Sequence, residues 1–222
     1  MVSLFIVFLS ADLQGQDNQG NPLPHFLFPS FREGLVKMKD GSNFSTLLNY
    51  NMVDEKMITE LNGVYRYSKD PQLIDTIILE KRVFVPVENK FYELLSIGPV
   101  TFFLENKSLA TPRGTDIGYG TRSHSSAPTQ YKRYELTQVI YQYGSVVDID
   151  LPPNIDITPA SVFWVKKDGN LEKYTNEKQF LKIFPEFENE LKEYIKKENI
   201  KVRAREDVVK LGNYCNELIR QK

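Results

Sequence analysis

Alternating apolar and polar side chains mark the first half of the chain. Residues 34–39, GLVKMK, alternate in this way, the repeat of a strand that buries one face. Asp40-Gly41 follows, a strong hairpin signal, and residues 44–50 predict the return strand. Residues 55–61 and 64–67 flank Asn62-Gly63, a second hairpin of the same kind. Asp70-Pro71 breaks the chain. Residues 73–79 and 83–87 are rich in Ile and Val and are separated by Glu80-Lys81-Arg82. Residues 91–97 and 100–105 are separated by Gly98-Pro99. None of these turns has room for a crossover helix, so sequential strands must run antiparallel. The pattern predicts an antiparallel β-meander of about eight short strands.

The pattern then changes. Residues 107–132 contain Pro112, Gly114, Gly118, Gly120 and Pro128 with a cluster of Ser and Thr. A loop this long inside a compact domain is either functional or disordered. In residues 134–143, Leu136, Val139, Ile140 and Tyr143 suit a helix by spacing, but Val, Ile and Tyr favour a strand; a strand is expected. Residues 146–151 predict another, ended by Pro152-Pro153. Residues 160–166 and 171–174 bracket Lys167-Asp168-Gly169-Asn170, a third hairpin.

Helical periodicity closes the chain. Asn176 is placed to cap a helix, with Gln179 three residues on as its capping-box partner. That helix carries Phe180, Ile183 and Phe184. Pro185 suits the first turn of the next, where Phe187, Leu191, Tyr194 and Ile195 form one stripe. A last helix starts near Arg205 and turns Val208, Leu211, Cys215 and Leu218 inward. The expected fold class is α+β: the meander and a later hairpin, then two to three C-terminal helices. The expected organisation is a β-rich domain over 31–174, with the long loop 107–132, and a helical segment over 175–222 packing on it.

Composition narrows the picture. The chain has 222 residues, 41% hydrophobic and 26% charged, as in a folded globular protein rather than a disordered one. Lys and Arg number 28, Asp and Glu 29. So even a balance argues against nucleic acid as a partner, which needs a concentrated basic face, and against a polybasic membrane anchor. Cys215 is the single cysteine, so an intramolecular disulfide is excluded. It reads as a small buried hydrophobe; the alternative, a catalytic thiol, has no histidine nearby in sequence.

The first eleven residues, MVSLFIVFLSA, carry no charge. The run is too short to cross a bilayer as a helix and suits the apolar region of a signal peptide. The usual basic segment before it is missing, which suggests a true start upstream. Ala11 and Gly15 are candidate cleavage points. Gly15 is preferred, giving a signal peptide over 1–15 and a mature start at Gln16. The alternative is an N-terminal core strand, against which the polar stretch 12–24 counts. Residues 16–30 read as a mobile lead-in that docks through phenylalanines such as Phe26 and Phe28. No later apolar run reaches membrane-spanning length, so no transmembrane anchor is expected.

A family resemblance rests on several segments together. They are Lys39-Asp40-Gly41, Leu47-Leu48-Asn49-Tyr50-Asn51, Ile74-Asp75-Thr76-Ile77, Phe84-Val85-Pro86-Val87 and Phe91-Tyr92-Glu93. Lys178-Gln179-Phe180, Val209-Lys210-Leu211 and Asn213-Tyr214-Cys215-Asn216 continue the series. In this order they resemble a family of exported Bacteroidetes proteins of unknown function. The resemblance implies export to the periplasm, the outer-membrane surface or beyond. It implies no activity, cofactor or catalytic residue.

Candidate chemistry is sparse. His25 and His124 are the two histidines, and neither has a ligand-type neighbour at metal-binding spacing; no metal and no cofactor are expected. Gly114, Gly118 and Gly120 fit neither a P-loop nor a dinucleotide fingerprint. Arg122-Ser123-His124 sets a hydroxyl beside an imidazole, but base and nucleophile must converge in space with an orienting carboxylate; no catalytic residue is assigned. Paired carboxylates for glycoside hydrolysis are not legible in a sequence with acids throughout.

Binding is the favoured option. Tyr119, Arg122, His124 and Tyr131 mark the long loop as a contact surface, where rings can stack on a ligand and polar groups can hydrogen-bond. Asp75-Thr76-Ile77 resembles the O-glycosylation acceptor of exported Bacteroidetes proteins, with Thr76 the candidate oxygen. The reading is an exported, non-enzymatic binding or structural module, its partner a glycan, a peptide or an outer-membrane protein. Two alternatives stay open: a hydrolase whose site is assembled from residues distant in sequence, and a periplasmic partner of an outer-membrane complex.

Overall fold

Short turns and alternating strands build one long sheet. The computed structural model describes residues 23–67, 70–112, 115–116, 122–123, 139–141, 144–146, 149–151 and 155–221. The first strands are β1 (Arg32–Met38), β2 (Asn43–Asn51), β3 (Lys56–Leu61) and β4 (Val64–Tyr67). They are followed by β5 (Ile74–Leu79), β6 (Arg82–Val87), β7 (Lys90–Ser96) and β8 (Thr101–Glu105). Next come β9 (Ser108–Pro112), β10 (Thr115–Asp116), β11 (Arg122–Ser123), β12 (Val139–Tyr141), β13 (Gly144–Val146) and β14 (Ile155–Pro159). The hairpin β15 (Val162–Lys167) and β16 (Asn170–Tyr174) leads into helices α1 (Glu177–Ile183), α2 (Glu188–Lys197) and α3 (Arg205–Arg220). The fold is α+β, with an antiparallel sheet in meander order and three C-terminal helices.

The main sheet runs β12-β13-β4-β3-β2-β1-β5-β6-β7-β8-β15-β16. One connection departs from a simple meander. β5 does not pair with β4; it takes the free side of β1. The break at Asp70-Pro71 makes this return possible: Pro71–Leu73 forms a single 3-10 turn, and the Leu73 carbonyl accepts from the Lys39 amide at 2.9 Å. Two meanders, β1 to β4 and β5 to β8, thus lie side by side with β1 against β5.

The glycine-bearing turns act as their residue types dictate. Leu61 pairs with Val64 across Asn62-Gly63, and Lys167 with Asn170 across Asp168-Gly169. Both central residues of each turn have positive φ, the geometry that matches strand twist. Two further two-residue turns contain no glycine: Glu80 and Glu88 adopt φ of 56° and 54°, at a conformational cost.

Directly opposed residues form a buried row across seven strands. Val36 faces Ile77, then Phe84, Glu93, Leu104, Phe163 and Tyr174 follow in register. All seven are buried, and Glu93 alone among them is charged. The row spans two apolar clusters. At one end Val36, Leu48, Tyr50, Met57, Ile77, Leu79, Phe84 and Phe91 pack together. This requires the sheet to curl, and β3 indeed comes up against β7 although they stand five places apart in the sheet. The Tyr50 hydroxyl donates across the curl to the Phe91 carbonyl at 3.2 Å. At the other end the helices cover the same face. Phe102 and Val165 meet Phe180, Phe184, Leu191, Val208 and Leu211. Each such buried side chain contributes roughly 1.5–3 kcal/mol of transfer free energy.

Some details differ from the sequence reading: the strand expected over 146–151 is β13 at Gly144–Val146, and residues 149–151 are not in a strand. Residues 108–112, inside the expected loop 107–132, form β9, and β9 pairs with β14 as a separate two-stranded sheet. Residues 108–112 show no alternation; Ile155-Asp156-Ile157-Thr158 does alternate, but the run is cut short by Pro152-Pro153 before it and Pro159 at its end. Residues 23–30, the later part of the expected lead-in, lie on the end of β2. The Leu27 amide donates to the Tyr50 carbonyl at 2.9 Å and the Met52 amide to the His25 carbonyl at 2.8 Å.

Candidate functional site

Two networks of ionisable side chains converge on the β7–β8 region. The first begins in the β2–β3 turn. Asn51 shapes that turn: its Oδ1 accepts from the Val53 and Asp54 amides at 2.9 and 3.1 Å. Glu55 then takes a left-handed conformation, φ 57°, and its carboxylate is carried to the first residue of β7. Lys90 Nζ donates to Glu55 Oε1 and to Glu105 Oε1, each at 2.8 Å. Trp164 Nε1 on β15 donates to Glu105 Oε2 at 2.9 Å. Lys107 Nζ stands 4.0 Å from Glu55 Oε2. The Tyr92 ring lies nearly parallel to that of Trp164, centroids 5.9 Å apart.

Both carboxyl groups are buried, and their environments push them apart. Burial raises Glu55, its hydrogen bond with Glu105 raises it further, and Lys90 opposes both. Burial also works against Glu105, but hydrogen bonds from Glu55, Lys90 and Trp164 outweigh it and bring its carboxyl down to about 2. Glu55 is therefore the member that keeps a proton more readily, and Glu105 the anion. Burial disfavours the Lys90 ammonium, yet its two carboxyl partners raise its pKa. Burial and then the charge of Glu105 push the Tyr92 hydroxyl up to about 12.

The second network surrounds Glu93, on the opposite face of β7 and fully buried. Arg205 Nε, at the start of α3, donates to Glu93 Oε1 at 2.6 Å. Asn106 Nδ2 donates to Oε2 at 3.0 Å, and Arg82 lies 3.4 Å away. The carboxylate thus fastens α3 to β6, β7 and the end of β8. Farther along α3, Asn216 Oδ1 accepts from the Val100 amide at 2.9 Å, and Ser96 Oγ donates to Asn213 Oδ1 at 2.8 Å.

The sequence-derived candidates lie elsewhere. Tyr119, His124 and Tyr131 fall outside the described residues. Arg122 is in β11, which pairs with β10 as a separate ribbon. Thr76 is half-buried in β5, its hydroxyl donating to Asp75 Oδ2 at 2.9 Å. Cys215 is buried, and burial pushes its thiol well up, which suits packing rather than nucleophilic chemistry. Among the described residues no group of three or more His, Cys, Asp or Glu could hold a metal ion, and no helix is long and apolar enough to cross a membrane.

Sequence reasoning did not assemble Glu55, Lys90, Glu105 and Trp164, nor Glu93 with Arg82 and Arg205. One signal was present. Glu93 and Glu105 each abut an apolar run, Phe91-Tyr92 with Leu94-Leu95 and Phe102-Phe103-Leu104. An acid within such a strand is paired or costly. No family model, curated protein or solved structure matches the chain.

Proposed function

We propose that the protein is an exported, non-enzymatic binding or structural module, as its apolar leader and its resemblance to exported proteins suggest. One observation carries the non-enzymatic part of this reading. The ionisable side chains that converge bond to one another: Lys90 spans Glu55 and Glu105, and Glu93 is shared by Arg205, Asn106 and Arg82. A catalytic constellation is also hydrogen-bonded together, but it presents a lone pair or a proton to a cleft that substrate can enter. In these networks the polar atoms are spent on fixing the curl of the sheet and the seat of α3. The partner in this reading is a glycan, a peptide or an outer-membrane protein.

A second reading has its own support. Glu55 and Glu105 are paired carboxyl groups with opposed pKa directions, the pattern of an acid and a base working together. They belong to a turn and a strand fifty residues apart in sequence, as a hydrolase assembled from distant residues requires.

One experiment separates the two. The full chain is assayed against glycan and peptide arrays and against a panel of chromogenic glycoside and ester substrates. The module reading predicts retained array ligands and no turnover. Turnover that disappears in Glu105→Gln while the fold persists supports the hydrolase and contradicts the module.

A further inference from the structure

His25 is fully buried; among the described residues neither ring nitrogen makes a well-formed hydrogen bond, and the Ile149 backbone is the one polar group that acts on the ring as an acceptor. A buried imidazole commonly has at least one partner. Here the ring lies 4.6 Å from that of Phe26, beside the cluster of Phe26, Ile58 and Ile149, against which Leu23, Phe31, Tyr65 and Tyr67 also pack. The segment that carries it is held to the sheet by few bonds. They are the Leu27–Tyr50 and Met52–His25 backbone bonds, which together make the bridge between Phe26 and Asn51, and the Asn49 side chain bonded to Phe28 and Ser30. Met52 is in turn tied by its carbonyl to the Ser108 amide at 2.9 Å. The docked segment, the β2–β3 turn and the start of β9 are therefore bonded in series.

We propose that His25 makes this attachment acid-sensitive: a proton on the imidazole releases residues 23–30 from β2 and loosens the β2–β3 turn behind them. An imidazolium in this place would be a buried cation with two donors and only the Ile149 backbone to accept from one of them, a costly arrangement. The titratable and charged groups of the surrounding elements are Tyr65 and Tyr67 on β4, Lys56 over the Tyr67 ring, Asp54 and Glu55 in the β2–β3 turn, and Asp150 beside Ile149. Burial lowers its pKa to about 4, and the Ile149 backbone opposes this only in part.

The direction follows from linkage. The ordinary imidazole value, about 6.5, applies once the segment is released, and the lower value applies while it is docked. Docking is thus fully favoured above about 6.5 and weakens as pH falls towards 4. Between pH 7.5 and pH 5 the docked-to-released ratio should drop about 25-fold.

Hydrogen exchange on the full chain reads this directly. After correction for intrinsic rates, peptides covering 23–30 and 50–55 should open about 25-fold more at pH 5 than at pH 7.5. In His25→Gln and His25→Phe the difference between the two pH values should vanish. Equal opening of the parent protein at both values, or the same rise in a folded variant, overturns the proposal. Should both variants fail to fold, the imidazole resonances of the parent protein decide. Titration near 4 supports it, and titration near 6.5 overturns it.

Discussion

Glu105 sits at the end of a strand whose preceding residues, Phe102, Phe103 and Leu104, are all buried, and it remains ionised because each carboxylate oxygen has a donor. The Lys90 ammonium serves one and the Trp164 indole the other. Its pKa is lower folded than unfolded, so its contribution to stability is present above about pH 4.5 and is lost as pH falls towards 2. Trp164→Phe keeps most of the ring but removes the donor. We expect a loss of about 2 kcal/mol at pH 7, shrinking as the pH approaches 3, in urea unfolding followed across that range. A loss of the same size at every pH would assign it to packing instead. Little of this was legible beforehand. The sequence marks an acid beside an apolar run but does not say that Lys90, fifteen positions away, and Trp164, fifty-nine away, will reach it.

Turns and caps are the elements that sequence specifies best, because they depend on a few residues with particular backbone needs. Asn176 accepts from the Gln179 amide at 2.9 Å, while the Gln179 side chain turns back to the Thr175 amide at 2.8 Å, one residue before the position a standard capping box would use. Asn176→Ala should cost about 1 kcal/mol in thermal or urea unfolding. The turn Glu88-Asn89 was found through the apolar runs on either side; its asparagine suits a turn, but the left-handed residue is Glu88, whose type does not announce it. Glu88→Asn should raise stability by about 1 kcal/mol, because asparagine tolerates that conformation better; an unchanged midpoint would show that the turn is unstrained. Gly212 sets two effects against each other. Alanine would favour α3 by up to about 1 kcal/mol. Its Cβ, however, would come within 2.8 Å of Ser96 Cβ and 2.9 Å of the Phe102 ring, and overpacking costs about 1–3 kcal/mol. Both neighbours belong to the sheet and have little room to retreat, so Gly212→Ala should destabilise the protein. The β9–β14 pair escaped notice because both strands end in proline, β9 does not alternate, and the alternating run of β14 lies between prolines with no turn signal to a neighbouring strand.

At the scale of the whole molecule, the hydrophobic pattern supplied β1 to β8, the later hairpin, the helices and the α+β class, but not the β9–β14 pair or the partner of β5. Period-two alternation says which face of a strand is buried and nothing about which strand lies beside it. The return of β5 to β1 and the curl that brings β3 to β7 both depend on contacts between residues far apart in sequence. Glu55 and Lys90, thirty-five positions apart, join the two meanders where the sheet curls, and the closure of their charges on each other is the central claim. A double-mutant cycle of Glu55→Gln and Lys90→Met, read by urea unfolding at pH 7, tests it most directly. A structural latch predicts a coupling of about 1–3 kcal/mol. Additive effects, within about 0.3 kcal/mol, would mean that the lysine does not hold the turn, and would contradict the account.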